Sequence, residues 1–200
     1  MIDLRTLYEK NIQDRGLFRF YLGLIPRFFQ FLKHERARKV ARKKGAIIGE
    51  NVVLPMLLAK RANKNLNIGN NTSIQTHLID LRSPVTIGNN VIIGNNTEII
   101  TTSHNIDSSE WEHKYYGITI EDYVWIPTKV LVLPSCQKIG KGAVIGSGSV
   151  VVKNINEMAV MSGNPATEIR KRKSIHSDLV VESMLGGDFI KYLSVRKNKI

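Results

Sequence analysis

The sequence predicts a mainly β chain, a parallel β-helix of short strands with a helical segment before it and a helical tail after it. Aliphatic residues recur every six positions, Ile87, Ile93 and Ile99 in one run and Ile120, Ile126 and Val132 in a second. After one extra residue the register resumes at Ile139, Ile145 and Val151, and Ile68 and Ile74 extend it backwards. Gly follows the aliphatic residue at 69, 88, 94, 140 and 146, often with Asn next. Alternation within each hexamer describes a short strand with one buried face. Gly and Asn tolerate the positive φ of a tight turn. Three such strands turning the same way close a triangular coil of about eighteen residues, and stacked coils align their aliphatic side chains in interior columns. Ordinary sandwich strands would place turn signals roughly every 8–12 residues instead.

Residues 1–45 read as a basic amphipathic helical segment, with Pro26 placed to start a second helix and Gly45 to end it. Along 15–34, Arg15, Arg19, Gly23, Arg27, Gln30 and His34 form a narrow polar stripe beside a wide apolar face. Residues 33–45 then hold seven Lys/Arg and one Glu. Three partners suit this pattern. The open end of a β-helix needs covering and comes first. An anionic membrane interface, contacted peripherally through residues 15–44, comes second. Nucleic acid comes last and is not expected, because the basic run lacks a recognisable binding module. Residues 46–164 carry the coils. "NIDSSEWEHKYYG" (105–117) falls out of register and predicts a projecting loop, and long loops are often functional. Residues 165–200 read as a helical tail broken near Gly186 and Gly187.

Charge separates the body from its ends. Residues 1–45 hold 12 Lys/Arg against 4 Asp/Glu, 46–165 hold 9 against 9, and 166–200 hold 8 against 4. The single Cys excludes an intrachain disulfide framework and fits a reducing compartment. Charges throughout 1–16 argue against a signal peptide, and Arg19, Pro26 and Arg27 interrupt the apolar run 17–32 as a membrane span. The expected location is the cytoplasm, at the inner face of the membrane in the reading that gives the helices a lipid partner.

"VWIPTKVLVLPSCQKIGKGAVIGSGSVVVKN" (124–154) and "MSGNPATEIRKR" (161–172) resemble the hexapeptide-repeat acyltransferases. More narrowly they are similar to the sugar and polysaccharide O-acetyltransferases related to galactoside, maltose and colanic-acid acetyltransferases. The resemblance spans roughly residues 66–172. It implies a left-handed β-helix, a homotrimer, and acetyl-CoA as co-substrate in a cleft between subunits. "TTSHNID" (101–107) occupies the place of the family's catalytic histidine.

An acetyl thioester is already activated, so the remaining chemistry is to deprotonate the acceptor hydroxyl and stabilise an oxyanion. A His suits the first task, and His104 is the candidate base. Asp107, Glu98 and Asp80 are each able to orient it, and the sequence does not choose among them. For acetyl-CoA the resemblance implies Trp125 as a cleft wall and Thr128 on the pantetheine arm. It places Gly146 and Ser147 where backbone approaches that arm, and Lys153 and Arg170 toward the phosphates. Val152 and Thr167 depart from the family's Thr and Lys/Arg, which brings in Lys171 and Arg172 as substitutes. Asp107, Trp111, Tyr115 and Tyr116 suit a saccharide, through hydroxyl binding and ring stacking, or pin the loop to a neighbouring subunit. No N-terminal acceptor-binding segment of the galactoside type is matched in 1–80.

Other residues read more plainly. His34 and His176 are expected to be solvated and His113 to sit on the loop surface; a place for His77 on the prism face near the cleft is the less favoured reading. His77, His104 and His113 give no compact ligand pair, so no metal is expected. Cys136 is expected to pack as a small hydrophobe. The leading reading is therefore an acetyl-CoA-dependent O-acetyltransferase of a saccharide, in surface polysaccharide or its lipid-linked precursor. Alternatives are an N-acetyltransferase of a nucleotide-linked amino sugar and a non-catalytic trimeric scaffold.

Overall fold

The computed structural model describes residues 4–175 and 188–197. Three sheets enclose one aliphatic core. The first runs β1 (Ile47–Ile48), β2 (Leu66–Ile68), β4 (Val85–Ile87), β9 (Ile118–Ile120) and β12 (Lys138–Ile139). The second runs β3 (Ser73–Ile74), β5 (Ile92–Ile93), β10 (Trp125–Ile126), β13 (Val144–Ile145) and β15 (Ala159–Gly163), with β16 (Ala166–Lys171) added antiparallel. The third holds β6 (Glu98–Ile99), β11 (Leu131–Val132) and β14 (Val150–Val151). All pairings besides β15–β16 within these sheets are parallel.

The six-residue register becomes spatial columns. Ile48, Ile68, Ile87, Ile120 and Ile139 pair up the first sheet. Ile74, Ile93 and Ile126 do so up the second, and Ile99, Val132 and Val151 up the third. All are buried, each contributing about 1.5–3 kcal/mol by leaving water.

The turns divide their work differently from the sequence expectation. Positive φ falls on the third residue after the column position: Asn51, Asn71, Asn90, Asn96, Tyr123 and Lys129, then Gly142 and Gly148. Asn, not the Gly that follows each aliphatic residue, carries the left-handed conformation in the early coils. Gly69 and Gly88 serve another need, since a Cβ on either would come within 2.7 Å or less of atoms in the next coil. The intervening Asn side chains form a ladder. Asn70 N donates to Asn89 Oδ1 (2.8 Å), and Asn89 N donates to Asp122 Oδ1 (2.7 Å).

Helices α1 (Leu4–Gln13) and α2 (Leu17–Lys43) precede the coils. Pro26 does not start a helix. It lies exposed inside α2, where Arg27 Nη1 donates to the Gly23 carbonyl (2.9 Å) in the turn that lacks a proline N–H. The break comes at Gly16 instead. The second half of α2 covers the open end of the prism. Ala37 and Ala41 are fully buried against the first-coil core of Ile48, Val52, Leu54 and Leu58. Arg38 Nη1 donates to the Val52 carbonyl (2.8 Å), and Arg42 Nη2 to the Ile48 and Gly49 carbonyls (2.8 and 3.0 Å). Two cations thus satisfy backbone acceptors in the first coil that would otherwise lack a partner. His34 is buried here rather than solvated, and desolvation lowers its pKa, keeping the ring neutral. Helix α3 (Met56–Arg61) packs against α2 and buries Leu58 and Ala59.

The tail also departs from expectation. Residues 166–171 form strand β16 rather than helix, paired back on β15. Helix α4 (Phe189–Lys197) crosses to the N-terminal helices. Its buried Tyr192 stacks on Phe20 (4.8 Å between centroids), and its hydroxyl would meet a Cβ at Gly23 at 2.6 Å. Arg27 and Asp188 close the junction as an ion pair at 3.1 Å. His176 and the break at Gly186 and Gly187 lie outside the described residues.

Candidate active site

The out-of-register segment is an antiparallel hairpin. Strands β7 (Thr102–His104) and β8 (His113–Tyr115) pair Thr102 with Tyr115 and His104 with His113. It leaves the corner between the third and first sheets, after β6 and before β9. Asn105 ties its outer end, through N to the Glu112 carbonyl (2.9 Å) and Nδ2 to Glu112 Oε2 (3.1 Å).

His104 is exposed, and its Nδ1 lies 2.6 Å from the Trp111 carbonyl oxygen. A carbonyl only accepts, so Nδ1 carries the proton and the neutral ring keeps its lone pair at Nε2, the arrangement a base requires. Trp111 holds φ of 51°, an uncommon conformation for a bulky residue and one that aims this carbonyl. The partner that orients His104 is therefore main chain, and none of Asp107, Glu98 or Asp80. The His113 ring lies 4.3 Å from that of His104 across the hairpin, tilted 43° to it. The sequence alone places His113 on the loop surface; its register opposite His104 emerges only from strand pairing.

Asp80 instead anchors the hairpin's root. Its Oδ2 accepts from Thr102 Oγ1 (2.9 Å) and Thr101 N (3.3 Å), while Arg82 Nε donates to Oδ1 (2.9 Å). Burial alone would raise this carboxyl, but the Arg82 side chain and N–H and the two threonines hold it well below the usual carboxylate range. A groove of about 540 Å³ opens beside the root, lined by Arg61, Asn63, Asp80, Arg82, Glu98 and Ile100 among others. Arg61, Asn63 and Arg82 carried no sequence motif. The backbone carbonyl of half-buried His77 accepts from Arg61 (3.1 Å).

The other candidates fall at two places. Trp125 is 48% exposed on the outer face of the second sheet, in a lateral row with Ile92, Val144, Val160 and Arg170. Thr128, Gly146 and Ser147 share the corner between the second and third sheets. There Thr128 Oγ1 donates to the Asn95 carbonyl (2.6 Å) and Gly148 N to the Thr128 carbonyl (3.3 Å). Thr128 and Ser147 are exposed. Lys153 is exposed beyond β14, at the corner from which the hairpin also departs. His104 with Lys153, and the Trp125–Thr128–Ser147 group, therefore occupy different corners of one chain, with the third sheet between them. Arg170 is exposed, whereas Arg172 Nη1 donates to the Tyr123 and Gly142 carbonyls (3.2 and 3.1 Å). Lys171 pairs with Glu168 (3.3 Å).

Asp107, Trp111 and Tyr115 are all exposed on the hairpin, as is Tyr116. Burial pushes the Cys136 thiol up to about 11, so it remains a protonated packing group. Among the described residues no three His, Cys, Asp or Glu converge as a metal site.

The triangular β-helix with an exposed imidazole on an ejected hairpin fixes the architecture, and similarity supplies the family. No protein-family model matches the chain. It is 32% identical over 161 residues to the galactoside O-acetyltransferase of Lactococcus lactis, covering 75% of each protein. To the galactoside O-acetyltransferase of Escherichia coli it is 31% identical over 141 residues, covering 68% of this chain and 69% of that one. A more local match, 43% identical over 90 residues, spans only 43% of the relative's length. The crystal structure of a hexapeptide-repeat acetyltransferase of Vibrio cholerae superposes with a TM-score of 0.63 at 25% identity, over 84% of this chain and 94% of that one. The chain belongs to the hexapeptide-repeat acetyltransferase family, with sugar O-acetyltransferases among its relatives, and it is an acyltransferase.

Proposed function

We propose that the chain is a cytoplasmic acetyl-CoA-dependent O-acetyltransferase that acetylates a hydroxyl of a saccharide. The observation that carries the mechanism is the Nδ1–carbonyl contact of His104, which leaves Nε2 as a free base on an exposed hairpin. His104 Nε2 takes the acceptor hydroxyl's proton as the oxygen attacks the thioester carbonyl. The tetrahedral oxyanion collapses, the C–S bond breaks, and the CoA thiolate recovers the proton from the imidazolium. Backbone N–H groups are the natural oxyanion donors. The groove beside Asp80 and Arg82 suits the acceptor, since carboxylates and arginines together bind sugar hydroxyls, and Trp111 and Tyr115 offer ring faces.

Acetyl-CoA lies, in this reading, along the corner of Thr128, Gly146 and Ser147, with Trp125 as a wall and Arg170 toward the phosphates. The coil is left-handed and the active assembly a homotrimer, in which one subunit's hairpin meets its neighbour's cofactor corner. Outward-facing residues favour this. The first sheet turns Asn67, Thr86, Thr119 and Lys138 outward, with Ile47 at its end, whereas the second and third present mainly Ile92, Trp125, Val144, Leu131 and Val150, with Glu98 beside Leu131. A mostly polar face suits water, and two mostly apolar faces suit neighbours.

The test is thiol release from acetyl-CoA against galactosides, longer saccharides and an amino-sugar nucleotide. Hydroxyl-dependent release supports the reading, and release only with the amine contradicts it. Mixed oligomers of His104→Ala and a Ser147→Trp chain test the shared site, because pairing an intact hairpin with an intact corner restores part of the activity. No recovery in verified mixed trimers contradicts a site shared between subunits.

A further inference from the structure

The two halves of α2 serve different surfaces. Phe18, Leu22, Ile25, Phe29 and Leu32, followed by Arg36, Lys39 and Lys43, are spaced alternately four and three apart and so lie along one side of the helix. All eight are exposed. The first five make an apolar ridge about 21 Å long at a rise of about 1.5 Å per residue, widened by Leu17 and Tyr21, with Phe28 packed on Phe189 at its margin (5.3 Å). Phe18 is 76% and Phe29 65% exposed. The opposite side is already occupied, with Phe20 and Leu24 packed against Tyr192, and Phe31 beside Phe189 at 5.6 Å. The ridge is therefore left over after α1 and α4 have docked. Single exposed apolar residues need no explanation, but a contiguous run of this size does.

We infer that this side of α2 docks on an anionic lipid surface, the apolar ridge entering the acyl boundary while Arg36, Lys39 and Lys43 meet headgroup phosphates. Charge selects the occupant. Residues 1–45 carry 12 Lys/Arg against 4 Asp/Glu, which repels a second copy of the same surface. Two α2 helices paired in parallel would set cation against cation, and antiparallel pairing would set Arg36, Lys39 and Lys43 against Phe18 and Leu22. A bilayer boundary offers acyl chains and anionic headgroups side by side, which matches a helix apolar at one end and basic at the other. The helix lies on the membrane: among the described residues none is long and apolar enough to cross it. Of the other cationic side chains of this half, Arg38 and Arg42 are turned to the prism and stay out of the contact.

Full-length protein sedimented with phosphatidylcholine vesicles, with and without phosphatidylglycerol, tests this without any transferase assay. It stands or falls independently of the proposed function. Binding is expected to require phosphatidylglycerol. Lys39→Ala with Lys43→Ala should weaken it about 30-fold, two surface cations' worth. Phe18→Ser with Phe29→Ser should abolish it, with helix content and melting temperature little changed because both side chains are mostly exposed and neither lies in the core. Failure of folded wild type to bind anionic vesicles overturns the proposal. So does lipid-free assembly beyond the parent oligomer that Phe18→Ser with Phe29→Ser removes, which would make the occupant a second copy.

Discussion

The prism and the hairpin obey opposite rules. In the prism every column residue is repeated from coil to coil, as in Ile68, Ile87, Ile120 and Ile139, and backbone groups pair with the coil on either side. Stability is spread over many equivalent contacts, and no position is chemically special. In the hairpin, Thr102–His104 and His113–Tyr115 leave the register, expose most of their side chains, and place the His104 imidazole beside the Trp111 ring and a second imidazole. A stiff repetitive body lets one short irregular segment be held rigidly while remaining open to substrate.

This contrast makes substitutions separable. His104→Ala should lower turnover by about 10²–10⁴-fold, the usual contribution of a positioned base, and leave the melting temperature unchanged; steady-state kinetics beside a melting curve checks both. Ile120→Ala reverses the pattern. It should cost about 2–5 kcal/mol in chemical denaturation, while kcat of the protein that remains folded is preserved.

Asp80→Asn acts on the joint between the two regions. Loss of charge-assisted bonds to Thr101, Thr102 and Arg82 should cost about 1.5–3 kcal/mol and reduce kcat by loosening the hairpin root. The pH dependence has a definite sign. Asp80's pKa is depressed in the folded state, so its stabilisation is fully present above the unfolded carboxylate pKa and is lost as pH falls through the lower folded value. The wild-type advantage over Asp80→Asn should therefore hold at neutral pH and close progressively below about pH 5. The smallest effect belongs to Cys136→Val, a near-isosteric core swap expected to cost less than about 1.5 kcal/mol with no change in activity. A matching labelling experiment should find the folded thiol inert to alkylation.

Legibility followed the same division. The columns were readable because burial imposes a period, and Ile87, Ile93 and Ile99 could be assigned to successive sheets from spacing alone. His104 stands out in the sequence through the family resemblance of its segment, at a break in that period. The contact on its Nδ1 does not, because a main-chain carbonyl leaves no side-chain signature; the sequence offers Asp107, Glu98 and Asp80, and Trp111 O makes the contact. Pro26 suggested a helix start on local propensity, yet packing of α1 and α4 against α2 carries the helix through it. Residues 166–171 looked helical in isolation, and only the exposed edge of β15 makes them a strand. The basic face of α2 was visible as composition, but its split into carbonyl-capping Arg38 and Arg42 and outward Arg36, Lys39 and Lys43 required the fold.

The most direct test is calorimetric titration of acetyl-CoA into wild type and His104→Ala, each assayed in parallel for transfer to a saccharide hydroxyl. The account predicts equal affinity in both proteins, with transfer by wild type alone, because the prism corner binds and the hairpin reacts. Absence of acetyl-CoA binding by folded wild type, or transfer by His104→Ala at the wild-type rate, would contradict it.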